Sequence, residues 1–142
     1  MDKSGSCLCG AVSYNIANAS DTCGICHCDM CRKWSGGVYI GYQAAADQVS
    51  FNGDEHITTY ASSDWAERGF CKTCGTSLFY RVTAQGPHHG QLHIGFGTLD
   101  DPSDVRANEE IFIDQKPDSY SFAGDTHKMT AAEVFAAFAP PD

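Results

Sequence analysis

The cysteines of one short segment are the residues whose types and spacing most directly indicate chemistry. Cys23, Cys26, Cys28 and Cys31 lie within nine residues of the segment TCGICHCDMCRKWSGG, with His27 between the middle two. Three interpretations are open: disulfide partners, a closed four-thiolate metal site, or a three-thiolate site with a free fourth position. A free position is what a catalytic zinc ion requires.

Spacing favours the open three-cysteine grouping and leaves the closed grouping as the alternative. Only His27 separates the two C-x-x-C units, so wrapping both around one tetrahedral ion should be strained. A site made of Cys26, Cys28 and Cys31 avoids that strain. A ligand role for His27 is less favoured, because a residue wedged between two ligands usually points its side chain away. We expect it to donate a hydrogen bond beside the site.

Two further cysteine pairs lie far apart in the sequence. Cys7 and Cys9 occur in GSCLCGAV, and Cys71 and Cys74 occur in FCKTCGTSLFY. The second pair resembles a zinc knuckle, and the glycine after each pair can adopt backbone angles that a Cβ would hinder. The four thiolates can complete a closed, structural zinc site that ties the first strand to the middle of the chain. A thioredoxin-like role is disfavoured, because the expected βαβ context is absent.

Length, composition and charge limit the compartment and the partners. The 142 residues are about one domain long, and they include neither the apolar core of a secretory signal nor a membrane-spanning apolar run. We therefore expect a soluble, cytoplasmic protein, where closely spaced cysteines indicate metal or redox chemistry more often than disulfides. The formal charge of −9 argues against nucleic acid and anionic membrane surfaces as partners.

The rest of the sequence predicts one mostly β domain over residues 1–142. Short runs rich in β-branched or aromatic residues, bounded by turn residues, predict strands. These runs are 11–16, 38–44, 48–51, 57–61, 77–82, 91–99 and 110–114. FNGDE predicts a hairpin turn around Asn52-Gly53, and TAQGPHHG predicts a mobile surface loop.

The C-terminal segment carries the one helix that the sequence predicts. Thr130 and Glu133 form a capping box, and the apolar residues from Val134 to Phe138 have helical spacing. Pro140 should end the helix. We expect this helix to cover one face of a sheet.

Taken together, these segments resemble the glutathione-dependent formaldehyde-activating enzyme family, which includes centromere protein V. The resemblance runs through GSCLCGAVSY, CHCDMCRKWSG and TYASSDWAERGFCKTCGTSLFY, and weakly into IFIDQKPDSY, in the family's order and spacing. It implies a β-tent-like fold of small antiparallel sheets pinned by a structural zinc. That fold agrees with the strands predicted independently.

The resemblance also implies two zinc ions per chain. It places a structural zinc on Cys7, Cys9, Cys71 and Cys74, and a catalytic zinc on Cys26, Cys28 and Cys31. Cys23 lies outside the family's ligand pattern, so the open three-cysteine grouping gains support. No ligand role is assigned to the remaining histidines, His56, His88, His89, His93 and His127.

The activity implied by the resemblance is that of a carbon-sulfur lyase similar to S-(hydroxymethyl)glutathione synthase. Such an enzyme joins glutathione and formaldehyde, or a related thiol and aldehyde. Arg32 and Lys33 are candidates to bind a glutathione carboxylate, and residues 34–36 are candidates to shape the pocket. Arg68 is expected to be structural and to pair with an acid, with a substrate contact as the alternative.

The alternative function is a non-catalytic zinc-binding module of the same fold that binds a thiol ligand or a protein partner. One departure from the family bears on substrate identity. Many members carry a tryptophan shortly after a Lys-Pro pair, whereas here Lys116-Pro117 is followed by Asp118, Ser119 and Tyr120. The natural thiol and aldehyde therefore stay open.

Overall fold

Short β-strands make up most of the ordered structure. The computed structural model describes residues 1–138. The strands within these residues are β1 (Lys3–Ser6), β2 (Ser13–Ile16), β3 (Thr22–Cys26), β4 (Tyr39–Ala44), β5 (Val49–Asn52), β6 (Ile57–Ala61), β7 (Ala66–Cys71), β8 (Ser77–Val82), β9 (Leu92–Gly95), β10 (Arg106–Ile111) and β11 (His127–Met129). The α-helices of this part of the chain are α1 (Asp29–Ser35) and α2 (Ala131–Phe138).

The strands form two sheets. The smaller sheet is antiparallel, with the order β1-β2-β5, and the larger sheet has the order β11-β10-β3-β4-β9-β8-β7-β6. Strand β10 runs parallel to both of its neighbours, β3 and β11, while the other pairs in the larger sheet are antiparallel. The predicted mostly β fold with a short C-terminal helix is confirmed, and two parallel pairings are added to it.

Aromatic side chains join the two sheets. The ring of Phe51 on β5 lies 6.0 Å from that of Tyr14 on β2 and 5.5 Å from that of Phe79 on β8. Burying one such side chain contributes about 1.5–3 kcal/mol. Cys7 and Cys71 belong to the same core, so the packing of the sheets brings the first cysteine pair to the second.

The predicted strands all have counterparts, but β1, β3, β7 and β11 were not predicted. Strand β3 reads TCGIC and β7 reads AERGFC. Cysteine, glycine and arginine fill positions that branched or aromatic residues occupy in most strands, so the usual sequence signal for a strand is weak. Strand β3 carries Cys26, and β7 carries Arg68 and Cys71, which belong to the sites described below.

The predicted hairpin at Asn52-Gly53 is wrong. The chain does turn there, and Gly53 has a φ of 78°. However, β5 pairs with β2, whereas β6 pairs with β7 in the other sheet. The turn therefore passes the chain from one sheet to the other. Turn residues between two strands do not specify which partner each strand takes.

Helix α2 begins as the sequence predicts and lies at an edge of the larger sheet. The Glu133 N–H donates to Thr130 Oγ1 at 3.2 Å, and the Thr130 N–H donates to Glu133 Oε1 at 3.1 Å. The helix packs against edge strand β11 and the turn Ile113–Gln115, and Phe138 remains 60% exposed. Pro140, the predicted stop, lies outside the described residues. Neither described helix has the length and apolar character needed to span a membrane.

Candidate metal centres

Cys7, Cys9, Cys71 and Cys74 converge into one cluster, in which each sulfur lies within 4.8 Å of the others. The Cys7 and Cys9 sulfurs are 3.7 Å apart, and those of Cys9 and Cys71 are 3.8 Å apart. Sulfurs placed tetrahedrally around Zn²⁺ at about 2.3 Å lie about 3.8 Å from one another, whereas a disulfide bond is about 2.0 Å long. These distances fit a shared metal ion, and all eight cysteines are free of disulfide bonds.

Both cysteine pairs of this cluster adopt the knuckle turn that the sequence predicts. Gly10 and Gly75 have positive φ angles of 82° and 78°. The Gly75 N–H donates to the Cys71 carbonyl at 2.8 Å, and the Gly10 N–H donates to the Cys7 carbonyl at 3.2 Å. A side chain would strain this backbone conformation, so glycine at both positions lets each turn aim its two sulfurs at one point.

Thr76 links the two knuckles and favours the thiolate form of Cys74. The Leu8 N–H donates to Thr76 Oγ1 at 3.1 Å, and the Thr76 hydroxyl lies 3.1 Å from Cys74 Sγ. Hydrogen bonding by this hydroxyl, together with backbone N–H groups, lowers the pKa of Cys74 to about 5. A thiolate is the form that binds a metal ion.

Cys26, Cys28 and Cys31 form a second cluster, again with sulfurs within 4.8 Å of one another. Cys26 ends β3, and the other two cysteines belong to the start of α1. The Cys31 N–H donates to Cys28 Sγ at 3.3 Å, so Cys28 is the N-cap of α1, and left-handed Gly36 ends the helix. This helix was not predicted from the sequence, because cysteine replaces the Ser, Thr, Asp or Asn that usually marks an N-cap.

The three sulfurs of this second cluster favour a divalent cation. Hydrogen bonding from the Cys26 thiol lowers the pKa of Cys28, and the same contact raises the pKa of Cys26. One thiolate therefore forms readily, while further ionisation is resisted until a cation offsets the charge. An all-sulfur donor set suits a borderline-soft ion such as zinc. Within residues 1–138, no fourth His, Cys, Asp or Glu joins the cluster.

Cys23 belongs to neither cluster. Its side chain is 5% exposed and packs in the hydrophobic core, and burial raises the pKa of its thiol. On β3, Cys23 and Ile25 face the core, whereas Cys26 lies half-buried at the strand's end. The structure thus favours the open grouping over a four-cysteine cluster.

Cys23→Ser should keep the metal content of the wild-type protein while lowering its stability. The serine hydroxyl would be buried among apolar groups, at a cost of about 1–3 kcal/mol. Elemental analysis and denaturant unfolding measure the two effects, and Cys23→Ala is the control that adds no hydroxyl. Loss of one metal ion from both variants would instead indicate the closed cluster.

His27 is buried and bonded to a carboxylate, so it does not join the sulfurs beside it. Its Nε2 lies 2.8 Å from Glu110 Oε1, and the Thr126 hydroxyl donates to the other oxygen of Glu110. The backbone N–H of His27 also donates to the backbone carbonyl of Ile111 at 3.1 Å. These bonds hold the segment between two candidate ligands against β10.

Glu110 is 2% exposed and was not predicted from the sequence. Strand β10 shifts register between Ala107 and Glu109 where it pairs with β3. After such a shift, the simple alternation of inward and outward residues no longer tells which side chain is buried. No other feature of the sequence marks this glutamate.

Glu110→Ala should destabilise the protein by about 1–3 kcal/mol, because His27 and Thr126 would lose their shared buried partner. Glu109→Ala is a matched control, since the Glu109 carboxylate forms no side-chain ion pair within the described residues. Urea unfolding of both variants measures the difference. Equal free energies of unfolding for the two variants would show that the His27–Glu110 contact does not stabilise the fold.

The three basic residues named from the sequence occupy different settings. Arg68 on β7 is buried and contacts Cys31 Sγ, so the expectation that it pairs with an acid is wrong. Arg32 Nη2 lies 3.1 Å from Asp29 Oδ1 on the exposed side of α1, and Lys33 is exposed. Neither Arg32 nor Lys33 contacts the sulfurs.

Two surface cavities lie near the cysteine clusters. The first, of about 320 Å³, is bordered by Ser35 and Tyr39 on one side and by Gly95 to Thr98 on the other. The second, of about 410 Å³, is bordered by Cys7 and shares Gly97 and Thr98 with the first. Of residues 34–36, which were predicted to shape a pocket, Ser35 lines the first cavity. None of the second cluster's cysteines lines either cavity.

The segment that departs from the family pattern packs beside the second cluster. The Tyr120 ring lies 6.0 Å from the His27 ring, and Lys116 Nζ donates to the Tyr120 carbonyl at 2.6 Å. The Asp29 N–H, one residue after Cys28, donates to Gln115 Oε1 at 3.1 Å. Residues 115–120 therefore support the loop that carries these cysteines.

Comparison with known proteins gives concordant matches. The family model described as glutathione-dependent formaldehyde-activating enzyme matches residues 2–115. An uncharacterized lyase of Schizosaccharomyces pombe is 32% identical over 131 residues, covering 92% of each chain. A Halomonas elongata protein named "putative glutathione-dependent formaldehyde-activating enzyme" is 29% identical over 124 residues, covering 80% of this chain and 76% of the relative.

Proposed function

This chain belongs to the glutathione-dependent formaldehyde-activating enzyme family, and from that premise we propose that it is a zinc-dependent carbon-sulfur lyase. Its substrates would be glutathione and formaldehyde, or a related thiol and aldehyde, as in S-(hydroxymethyl)glutathione synthase. The observation that carries the proposal is the second cluster, in which three cysteine sulfurs converge without a fourth protein ligand among the described residues.

The donor sets of the two clusters fit different roles. Cys7, Cys9, Cys71 and Cys74 would hold a structural zinc, because four sulfurs close its coordination. Cys26, Cys28 and Cys31 would hold a second zinc, which when bound supplies a position where an incoming thiol loses its proton.

The proposed reaction forms one carbon-sulfur bond. The thiol sulfur adds to the carbonyl carbon of the aldehyde, and the carbonyl π bond breaks. The oxygen takes up the proton released by the thiol and becomes a hydroxyl group. The product is a hemithioacetal, and the reverse reaction releases thiol and aldehyde. The chain's part is to bind and orient the two reactants.

Arg32 and Lys33 remain our candidates for binding a carboxylate of the thiol substrate. Lys33 is exposed and forms no ion pair within the described residues, so its charge is available to a ligand. Arg32 would have to leave Asp29, an exposed contact worth less than about 1 kcal/mol. Cytoplasmic location remains a prediction, and so does the absence of nucleic acid partners, which the charge of −9 favours.

A second candidate function is a non-catalytic zinc module that binds a thiol ligand or a protein partner. It is favoured by one observation: none of the second cluster's cysteines lines either of the two cavities described above, so neither cavity places reactants against those sulfurs. A ligand-binding or scaffold role would not need such a space.

The rate of hemithioacetal exchange separates the two functions. Exchange of glutathione with formaldehyde, followed by NMR at equilibrium, should be faster with the wild-type protein than without it, and Cys28→Ser should give only the uncatalysed rate. Cys23→Ser is the matched control and should retain the acceleration. Because the uncatalysed addition is itself fast, thiol binding without acceleration would support the non-catalytic module.

A further inference from the structure

The guanidinium of Arg68 is enclosed beside the second cluster. The residue is 2% exposed. Its Nη1 and Nη2 atoms lie 3.7 Å and 3.6 Å from Cys31 Sγ, and its Nε donates to Ser62 Oγ at 3.2 Å. The rings of Trp34 and Tyr80 flank it, with centroids 5.3 Å and 5.0 Å from the guanidinium carbon. Both terminal nitrogens thus face one cysteine sulfur.

This buried cation lacks the partner that buried arginines normally have. Within residues 1–138, no carboxylate lies within ion-pair distance of Arg68. Burial raises the pKa of the nearby phenols of Tyr39 and Tyr80, so neither supplies a negative charge. An unpaired buried charge is costly, and arginine does not shed its proton in proteins. The compensating charge must come from the cysteines.

The net charge of the second cluster with a bound divalent cation indicates the role of Arg68. Three thiolates and one divalent cation carry one net negative charge, which Arg68 neutralises. A fourth ligand that is itself a thiolate adds a second negative charge, whereas a neutral ligand adds none. Because the Arg68 guanidinium lies 3.6 Å from Cys31 Sγ, its positive charge favours binding of the anionic ligand over the neutral one.

We propose that Arg68 is a positioning residue that makes the open position of the second centre selective for an anionic thiolate over a neutral ligand. This inference rests on the proposed function, because it concerns the same position. Arg68 does not touch the reacting carbon in this scheme. It acts through Cys31 and through the total charge of the cluster.

Ligand titrations of the cobalt-loaded protein test this selectivity. Glutathione is the anionic ligand and imidazole the neutral one, and the visible absorption of Co²⁺ reports binding of each. In Arg68→Met, glutathione affinity should fall about 10- to 100-fold, as expected when a positive charge a few ångströms from the added thiolate is removed, while imidazole affinity changes less than about twofold. Arg68→Lys restores the charge and should recover part of the loss.

Arg81→Met is the matched control for removing an arginine from the same sheet. Arg81 lies on neighbouring strand β8, and its Nη1 pairs with Glu67 Oε1 at 2.9 Å. This variant should bind both ligands as the wild type does. Circular dichroism of each variant verifies that the fold is retained, because removing one partner of a buried charge pair is often destabilising.

Each outcome of the titrations supports or overturns the proposed selectivity. An equal loss of both ligands in Arg68→Met, or no loss of either, would overturn the selectivity. If neither Arg68→Met nor Arg68→Lys holds the second cobalt ion, the arginine serves metal retention instead, and the proposal is wrong. If wild-type protein with two cobalt ions binds no glutathione, the proposed function itself fails, a result distinct from any difference between variants.

Discussion

Cys71→Ser should abolish cooperative folding, or lower the unfolding midpoint by roughly 20 °C or more. Cys71 is fully buried and lies in the same core as Cys7. The apparent binding free energy of a structural zinc is about 10–16 kcal/mol, comparable to the whole stability of a domain, about 5–15 kcal/mol. Losing one of four ligands should therefore remove most of the stability.

Thermal unfolding followed by circular dichroism measures this effect. Thr73→Ser is the control, since it changes an exposed residue of the same turn without removing a sulfur. Removal of metal from the wild type with a chelator should reproduce the loss seen in Cys71→Ser. If Cys71→Ser unfolds within a few degrees of the wild type, the first cluster does not hold the fold together.

Cys28→Ser should leave a folded protein that has lost the second metal ion, with a loss of glutathione affinity beyond the roughly 10- to 100-fold effects typical of residues that only support a metal ligand. Serine is among the best N-cap residues, so its hydroxyl can accept the Cys31 N–H and keep α1 intact. A serine hydroxyl is a much poorer zinc ligand than a thiolate. The expected damage is therefore confined to binding.

Thermal unfolding, metal analysis and isothermal titration with glutathione measure the three consequences. Cys23→Ser is the matched control for metal content and glutathione affinity, because it exchanges the same atoms in the same segment outside the cluster. If Cys28→Ser unfolds as badly as Cys71→Ser, the second centre is structural. If it keeps full glutathione affinity, the open position is not where the thiol binds. Either result would favour the non-catalytic module.

The parts of the molecule that sequence analysis predicted are those set by local spacing. The knuckle glycines Gly10 and Gly75 follow from the short cysteine pairs, because the left-handed turn after each pair aims its two sulfurs at one point. The strands rich in branched and aromatic residues, such as β4 and β8, were predicted close to their bounds. The capping box of α2 was predicted from two residues three positions apart.

What could not be predicted depends on contacts between distant segments. The partner of Arg68 is a cysteine sulfur 37 positions away in the sequence, and that of His27 is a carboxylate 83 positions away. A buried arginine usually pairs with an acid, which is why that partner was expected. Strands β3 and β7 are stabilised by their places inside the sheet and by the cysteines they carry, so their own composition was a poor guide.

Zinc X-ray absorption spectroscopy, combined with elemental analysis, tests the open site most directly. Two zinc ions sharing the seven clustered sulfurs predict an average of about 3.5 sulfur neighbours per zinc. Saturating glutathione should raise that average to about 4, with a matching loss of light-atom neighbours. At most one zinc per chain after growth and purification with zinc supplied, or a sulfur count that glutathione does not change, would contradict an open three-cysteine centre that accepts a thiol.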